Sequence, residues 1–233
     1  PGGGGGPVLP NAKGGGTVRI ARLKNEKLDV KNVSADLALE PGIMSVPAFG
    51  LDGYGGAIRG NARFDLRDPK LPTYALKAKV HSVRAEEFLG VWTPLKGLIK
   101  ASLNTSLDLS GAGTEPDQIK RTITAVGAAA MANGTIGPGP ALGAIATPVE
   151  MPELREVKFT DLKLPFRIEQ GRMITPGAKL SGPYGDWNVV GSAGLDGALD
   201  YAVSITLPPD VVQRINAKSA PAAGALSDDQ GRM

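Results

Sequence analysis

The sequence predicts a mainly β protein: a curved antiparallel sheet, groove-like or partly closed, with two or three short helices. Apolar and polar residues alternate in one segment after another, which is typical of strands with one apolar face. The 32 glycines and 19 prolines are about twice the usual share and fall largely in turn-like clusters. One pattern occurs twice, at residues 54–66 and 184–196: a turn, a short strand, a glycine, and a strand that ends in or near an aspartate.

The N-terminal half reads as strands in quick succession. They are predicted around Val18 and Ile20, and at residues 28–39, 43–51, 58–66 and 74–80. In the last of these, Leu76 and Val80 share one face, and Lys77 and His81 lie on the other. The cleanest strand follows at residues 99–109. Successive alternating strands with short turns favour antiparallel pairing.

Short helices are predicted where the alternation stops. Ser82 is a candidate N-cap for a helix within residues 83–92, and Thr114 for a helix at 115–123 with Pro116 in its first turn. Residues 141–146 and 211–217 are further helix candidates. The run 115–152 is expected to form a crossover or a cap over one end of the sheet.

Strands resume in the C-terminal half. The small-residue segment 125–136 is predicted as a closely packed strand, with a helix as the alternative. Further strands are predicted at 157–164, 166–169, 173–180, 187–195 and 201–207. Gly60 and Gly191, inside strand patterns, are expected to mark bulges or bends that curve the sheet.

The domain organisation follows from composition. Residues 1–16 are predicted to be a glycine-rich linker, 17–217 one β-rich domain, and 218–233 a disordered tail. With no cysteine, the chain has no disulfides or thiolate sites. It has neither a signal-peptide pattern nor a run of 18 apolar residues. We expect it to be a fragment whose anchor or signal lies upstream.

The titratable residues give no sign of catalysis. His81 is the sole histidine and falls on a lysine-bearing strand face, where an exposed structural role is expected. Glu86 and Glu87 are adjacent on a predicted helix, so their carboxylates point apart and do not form a glycosidase pair. We therefore predict a non-enzyme without cofactor or metal. A net charge of +3, evenly spread, argues against nucleic acid as a partner.

The apolar strand face is the candidate site. Its predicted inner-face residues are Leu76, Val80, Ile99, Leu103, Leu107, Val203, Ile205 and Leu207. An open groove for acyl chains and an ordinary closed core require the same alternation of apolar and polar residues. The pattern therefore does not distinguish between them. An open groove predicts that a charge at Leu103 impairs lipid binding without unfolding the domain.

Several weak motifs occur in a specific order. They are the Val18/Ile20 strand, residues 28–39, Tyr54-Gly55-Gly56 leading through Gly60 to Asp65, residues 83–89 ahead of Leu95-Lys96-Gly97, residues 130–136 with their Asn-Gly-x-Ile step, Phe159-Thr160-Asp161-Leu162, Ile168-Glu169-Gln170-Gly171 and residues 191–195. In this order, over about residues 16–207, the chain resembles the C-terminal region of the AsmA family of Gram-negative envelope proteins.

The resemblance implies a location and a role. AsmA-like proteins are usually tethered in the inner membrane, extend into the periplasm, and are linked to outer-membrane assembly and phospholipid movement. Their β-rich regions are thought to form a curved sheet with an apolar groove for acyl chains. The implied partners are phospholipid, the inner membrane through an upstream anchor, and other envelope proteins. The alternative is a structural or protein-interaction module with a closed core, which binds through edge strands or the helix within 83–92.

Overall fold

Eleven strands form one antiparallel sheet in which each strand pairs with its neighbours in sequence. The computed structural model describes residues 11–25, 28–92, 97–147 and 152–218. The strands are β1 Gly14–Lys24, β2 Asp29–Glu40, β3 Ile43–Gly53, β4 Gly56–Asp65, β5 Thr73–Arg84, β6 Ile99–Ala112, β7 Thr124–Ile136, β8 Val157–Glu169, β9 Arg172–Gly182, β10 Gly185–Gly194 and β11 Leu199–Thr206. The predicted mainly β, antiparallel architecture is confirmed. The sheet is not closed, so β1 and β11 are its edges.

In the part of the chain that the structure describes, four short helices accompany the sheet, against the two or three predicted. They are α1 Ala85–Trp92, α2 Pro116–Thr122, α3 Pro140–Ala146 and α4 Pro209–Lys218, with a 3₁₀ turn at Pro152–Arg155. Because α1, α3, the 3₁₀ turn and α4 all adjoin the same ends of their strands, we call this the helix-covered end of the sheet. The opposite end, where α2 joins β6 to β7, is the open end.

The two faces of the sheet differ in chemistry. The inner face is the side that carries Leu103, and cross-strand pairing extends it in one row through Val83, Leu103, Met131, Leu162, Leu180, Trp187 and Ile205. The outer face carries Lys77, Lys79 and His81, all exposed. The alternation of apolar and polar residues therefore places the apolar side chains of each strand on one face of the sheet, as predicted.

The core lies at the helix-covered end of the inner face. Ala85 of α1, Ala146 of α3, Leu154 of the 3₁₀ turn and Val211 of α4 pack in one cluster with the row through Leu103. Val211 is completely buried. Full burial stabilises each large apolar side chain by about 1.5–3 kcal/mol, so this cluster holds the helices on the sheet.

Irregular residues bend the strands. Asn32, Ser82 and Asn133 have φ of 52°, 54° and 52° inside β2, β5 and β7. The predicted capping role of Ser82 is wrong: it lies in a bulge of β5, and its backbone N–H donates to Oδ1 of Asn104 at 3.1 Å. Such bulges increase local twist and curve a sheet.

Both glycines expected at bulges lie at register shifts, as predicted. Gly191 has φ of 152° and lies where the β9–β10 register shifts, between Val189 and Gly191. Gly60 pairs with Phe49, beside the β3–β4 register shift between Val46 and Phe49. In both cases the additional residue lies in the partner strand. Gly60 is also required for space.

Several predicted boundaries move. Glu115, not Thr114, caps α2, because the Glu115 side chain and Gln118 form a reciprocal capping box. The run 115–152 is no crossover, since β7 lies inside it and pairs with β6 and β8, although α3 does cap one end.

Two strand boundaries also differ from the prediction. Residues 157–169 form one strand, and β1 begins at Gly14, inside the predicted linker. Leu95, Lys96, residues 1–10 and the predicted tail beyond Lys218 lie outside the described residues.

The repeated sequence pattern corresponds to two equivalent strands. Its copies contain β4 and β10, each entered through a tight turn from the preceding strand and followed by β5 or β11. In the first turn Tyr54 and Gly55 have φ of 54° and 84°. Two positive φ values are those of a type I′ turn, which matches the strand twist.

Aromatic rings lie over glycines of the neighbouring strand. Five such cross-strand pairs line the inner face: Phe49–Gly60, Tyr74–Gly111, Phe159–Gly134, Phe166–Gly127 and Tyr201–Gly191. A methyl group at Gly60 would overlap the carbonyl oxygen of Lys77 and lie 2.6 Å from Cζ of Phe49. These glycines are therefore required for space, because each ring occupies the position of the absent side chain.

We expect Gly60→Ala to lower the free energy of unfolding by about 1–3 kcal/mol, the usual penalty for overpacking. Gly177→Ala is the matched control, because its methyl group would meet only Oδ1 of Asn188, at 3.7 Å. This control should leave stability unchanged or raise it by up to about 1 kcal/mol. Urea denaturation measures both, and equal losses for the two variants would contradict the close-packing argument.

Asp65 and Arg67 form an ion pair at the turn that follows β4. The carboxylate of Asp65 accepts the Nε–H of Arg67 at 2.9 Å and the backbone N–H of Arg67 at 3.1 Å. These hydrogen bonds, the side-chain one first, lower the pKa of Asp65 from 3.8 to about 2. The charged carboxylate is therefore favoured in the folded state.

Arg67→Ala is expected to raise the pKa of Asp65 back toward 3.8, as followed by NMR titration of its carboxyl carbon. Because the folded pKa is the lower one, the stabilisation by Asp65 is present above about pH 4 and lost as pH falls toward about 2. Arg63→Ala should shift this pKa far less, since the charge of Arg63 is the weakest of the influences on the pKa of Asp65. An unchanged Asp65 titration in Arg67→Ala would refute the assignment.

Candidate functional site

The inner face divides into a filled part and an uncovered part. At the helix-covered end, helices pack on the row through Leu103. Toward the open end, Leu76, Leu107 and Leu109 share the same face but belong to no such cluster, and α2 contributes no residue to the core. Their side chains are half-buried, against 2% exposure for Leu103. Among the described residues, no helix packs into a core cluster on this part of the sheet, where Val46 and Ala125 are nonetheless buried, at 9% and 3% exposure.

Two uncharged rows cross the uncovered part. The first passes through Val18, Ala35, Phe49, Gly60, Ala78, Leu107, Gly127 and Phe166. The second passes through Val46, Ala62, Leu76, Leu109, Ala125, Ile168, Met173, Ala193 and Leu199. At about 4.8 Å between strands, they extend roughly 34 and 38 Å. Together they make one apolar surface from β1 to β11.

This surface is exposed at both sheet edges. At the ends of the rows, Val18 of β1 is 41% exposed and Leu199 of β11 is 73% exposed. Between the edges, the rings over glycines lie flat enough that Phe49 and Phe166 stay half-buried. A long apolar molecule could therefore reach the rows from either side of the sheet.

The outer face is polar and paired. Nζ of Lys77 lies 2.9 Å from Oδ2 of Asp108, and Nη2 of Arg59 lies 2.8 Å from Oδ1 of Asp52. These pairs join neighbouring strands in solvent, where such contacts contribute little to stability. His81 is exposed on this face opposite Ala57. The sheet is therefore amphipathic, with its charges on the side away from the rows.

The eight predicted groove residues fall into both parts of the inner face. Val80 and Leu103 are buried in the core, and Ile99, Ile205 and Leu207 pack against it. The uncovered part or its β11 edge holds the rest: Leu76, Leu107 and Val203. Much of the uncovered surface was not predicted, Phe49, Leu109, Phe166 and Ile168 above all. Alternation marks these residues too, but only the strand register shows that they align with Leu76 and Leu107.

The described residues 11–25, 28–92, 97–147 and 152–218 contain no group of three or more histidines and carboxylates placed to hold a metal ion. In the same part of the chain, no helix is both long enough and apolar enough to cross a membrane. No protein-family model, curated protein or solved structure matches the chain.

Leu103 and Leu107 differ enough to be told apart by mutation. Leu103→Glu places a carboxylate in the core and should lower the free energy of unfolding by at least about 3 kcal/mol. Leu107→Glu places the same group on the uncovered face, where water reaches it, and should change stability by at most about 1 kcal/mol. Urea unfolding followed by circular dichroism measures both. Equal losses would mean that Leu107 also belongs to a closed core.

Proposed function

We propose that this chain is a non-enzymatic domain of the Gram-negative cell envelope that holds phospholipid acyl chains on the uncovered part of its inner face. The observation that carries the proposal is the pair of uncharged rows, which lie outside the helix-packed core; the first ends at the exposed β1 edge and the second at the exposed β11 edge. In this function the domain contributes to outer-membrane assembly or homeostasis in the periplasm. The resemblance to the AsmA family supports this location and a tether in the inner membrane.

The two rows form a long apolar surface on the inner face. Contiguous apolar surface of this extent is unusual on a protein that faces only water. Covering it with an acyl chain removes apolar area from both partners, at about 0.8 kcal/mol for each buried methylene. The headgroup remains in water because neither row contains a charged or hydrogen-bonding side chain.

The direction of the rows suggests how a lipid moves. Each row runs across the strands, so a chain lying along it meets Leu76, Leu109 and Ile168 in turn. Successive positions offer similar apolar contacts, and no polar group fixes the chain at one of them. A lipid could therefore slide along the first row between β1 and β8, or along the second between β3 and β11, without crossing a large barrier.

One observation favours a protein-interaction module as the second candidate. The free edge of β11 contains no charged residue from Tyr201 to Thr206, whereas β1 carries Arg19, Arg22 and Lys24. Charges on an edge strand discourage pairing with other chains, and the β11 edge lacks them. A partner could add a strand there.

The lipid proposal is tested by native mass spectrometry of the full chain purified under mild conditions, with extraction and analysis of bound lipid. Wild type should carry phospholipid in a defined ratio. Leu107→Glu should lower occupancy roughly tenfold or more, since a carboxylate would contact the hydrocarbon. Ser106→Glu is the control, because it adds the same charge to the outer face of the same strand.

The possible outcomes separate the two functions. Folded wild-type protein that neither co-purifies with phospholipid nor takes it up from vesicles would end the lipid proposal. Retained capture of an envelope protein by that lipid-free domain would support the module. In that case Val203→Lys, which puts a charge on the β11 edge, should abolish capture.

A further inference from the structure

An apolar cavity lies at the helix-covered end of the inner face, outside the two rows. Its volume is about 190 Å³, and its walls come from β7 to β11 and from Leu142 of α3. The mouth of the cavity is at the β11 edge, where Val203 is 43% exposed. At the far end, Val157 and Leu162 of β8 are 2% and 7% exposed and belong to the core. A ligand that enters at the β11 edge therefore meets a closed end.

The chemistry of the walls selects hydrocarbon. Every lining side chain is apolar or aromatic, and the one polar side-chain atom among them, Nε1 of Trp187, is buried away from the cavity. A phosphate, carboxylate or ester oxygen placed here would lose its contacts with water and gain no hydrogen bond. Apolar cavities of about 150 Å³ in proteins stay dry and bind small hydrocarbons. The cavity therefore suits only a part of a ligand that has no polar atoms.

A phospholipid has one such part that can enter a cavity with a closed end, the methyl end of an acyl chain. The headgroup and the ester linkages lie at the opposite end of the lipid, and the middle of a chain would have to bend back on itself to enter. At roughly 30 Å³ per water-sized group, the cavity holds about six of them. It can therefore take the last few carbons of a chain while the rest of the lipid stays outside.

We propose that this cavity holds the methyl end of a phospholipid acyl chain whose remaining carbons lie along the inner face toward the second row. The inference rests on the proposed lipid function and gives the bound lipid one orientation. The methyl end points into the helix-covered end of the sheet, and the headgroup lies in solvent outside the cavity. The rows alone give similar contacts at every step, so the cavity makes the β11 end the place where the lipid is held most tightly.

The second row lies close enough for one chain to use both sites. Val203 at the mouth of the cavity and Leu199 at the end of the row lie on the same face of β11, four residues apart. That separation is about 13 Å along a strand. Tyr201 lies between them, with its ring over Gly191 of β10. Carbons outside the cavity can therefore follow this ring to Leu199.

Trp187 reports on the occupant because it lines one wall of the cavity. The chain has two tryptophans, so Trp92→Phe leaves Trp187 as the sole indole. Bromine quenches indole fluorescence at short range. The full chain is loaded from vesicles of phosphatidylcholine with bromine near the methyl end of its acyl chains, at the middle, or beside the ester, and is then separated from the vesicles. Quenching should be strongest with bromine near the methyl end and weakest with bromine beside the ester.

Filling the cavity should remove this dependence on bromine position. Ala178 lines the cavity, and Ala178→Leu should weaken lipid binding roughly tenfold or more, since the displaced carbons lose buried apolar area. Ala202→Leu is the matched control, because it adds the same side chain to the outer face of β11. This control should change neither the affinity nor the order of quenching. Both variants are made in the Trp92→Phe protein.

The outcomes separate this inference from the lipid function itself. Lipid-loaded protein that is quenched equally by all three lipids, or most strongly by bromine beside the ester, would overturn the inference and leave the lipid function standing. A methyl-end preference that survives in folded Ala178→Leu would do the same. Folded wild-type protein that takes up no phospholipid would remove both proposals. If Ala178→Leu does not fold, the comparison of the three lipids in the Trp92→Phe protein still decides.

Discussion

The apolar face of an open sheet has to be covered by something, and this constraint governs the rest of the molecule. A barrel buries such a face by closing on itself, but here β1 and β11 remain unpaired edges. Helices α1, α3 and α4 cover one end, where they form the core. Toward the other end helix α2 contributes no residue to the core, and the apolar rows are what any ligand would meet.

The composition of the rows limits how much apolar area they expose to water. The rows protrude little from the sheet, because several positions are alanine or glycine, among them Gly60 and Gly127. The rings of Phe49 and Phe166 lie over glycines instead of projecting into solvent. Each ring thus shields the backbone of the glycine beneath it, on the neighbouring strand, from water. The result is a surface that is apolar but smooth, with less area in water than rows of leucine and phenylalanine alone would have.

Sequence reasoning predicts the strands well and the site only in part. Period-two alternation identifies nearly every strand, because an antiparallel sheet with one polar face requires it. It cannot distinguish Leu103 from Leu107, which lie four residues apart on the same face of β6, because the difference depends on where α1 and α3 fold back. The bulges at Asn32 and Ser82 also escape prediction, since their positive φ values arise from tertiary pairing and not from local glycine.

The strictly sequential strand order has a consequence for how the chain folds. Every pairing joins strands that are neighbours in sequence, so each step closes only a short loop, and contact order is low for an all-β protein of this size. Folding can begin at any hairpin and spread outward in both directions, as in repeat proteins. An edge strand can detach without breaking the pairs behind it, so the sheet should unzip from β1 inward, while the part clamped by α1 and α3 separates last.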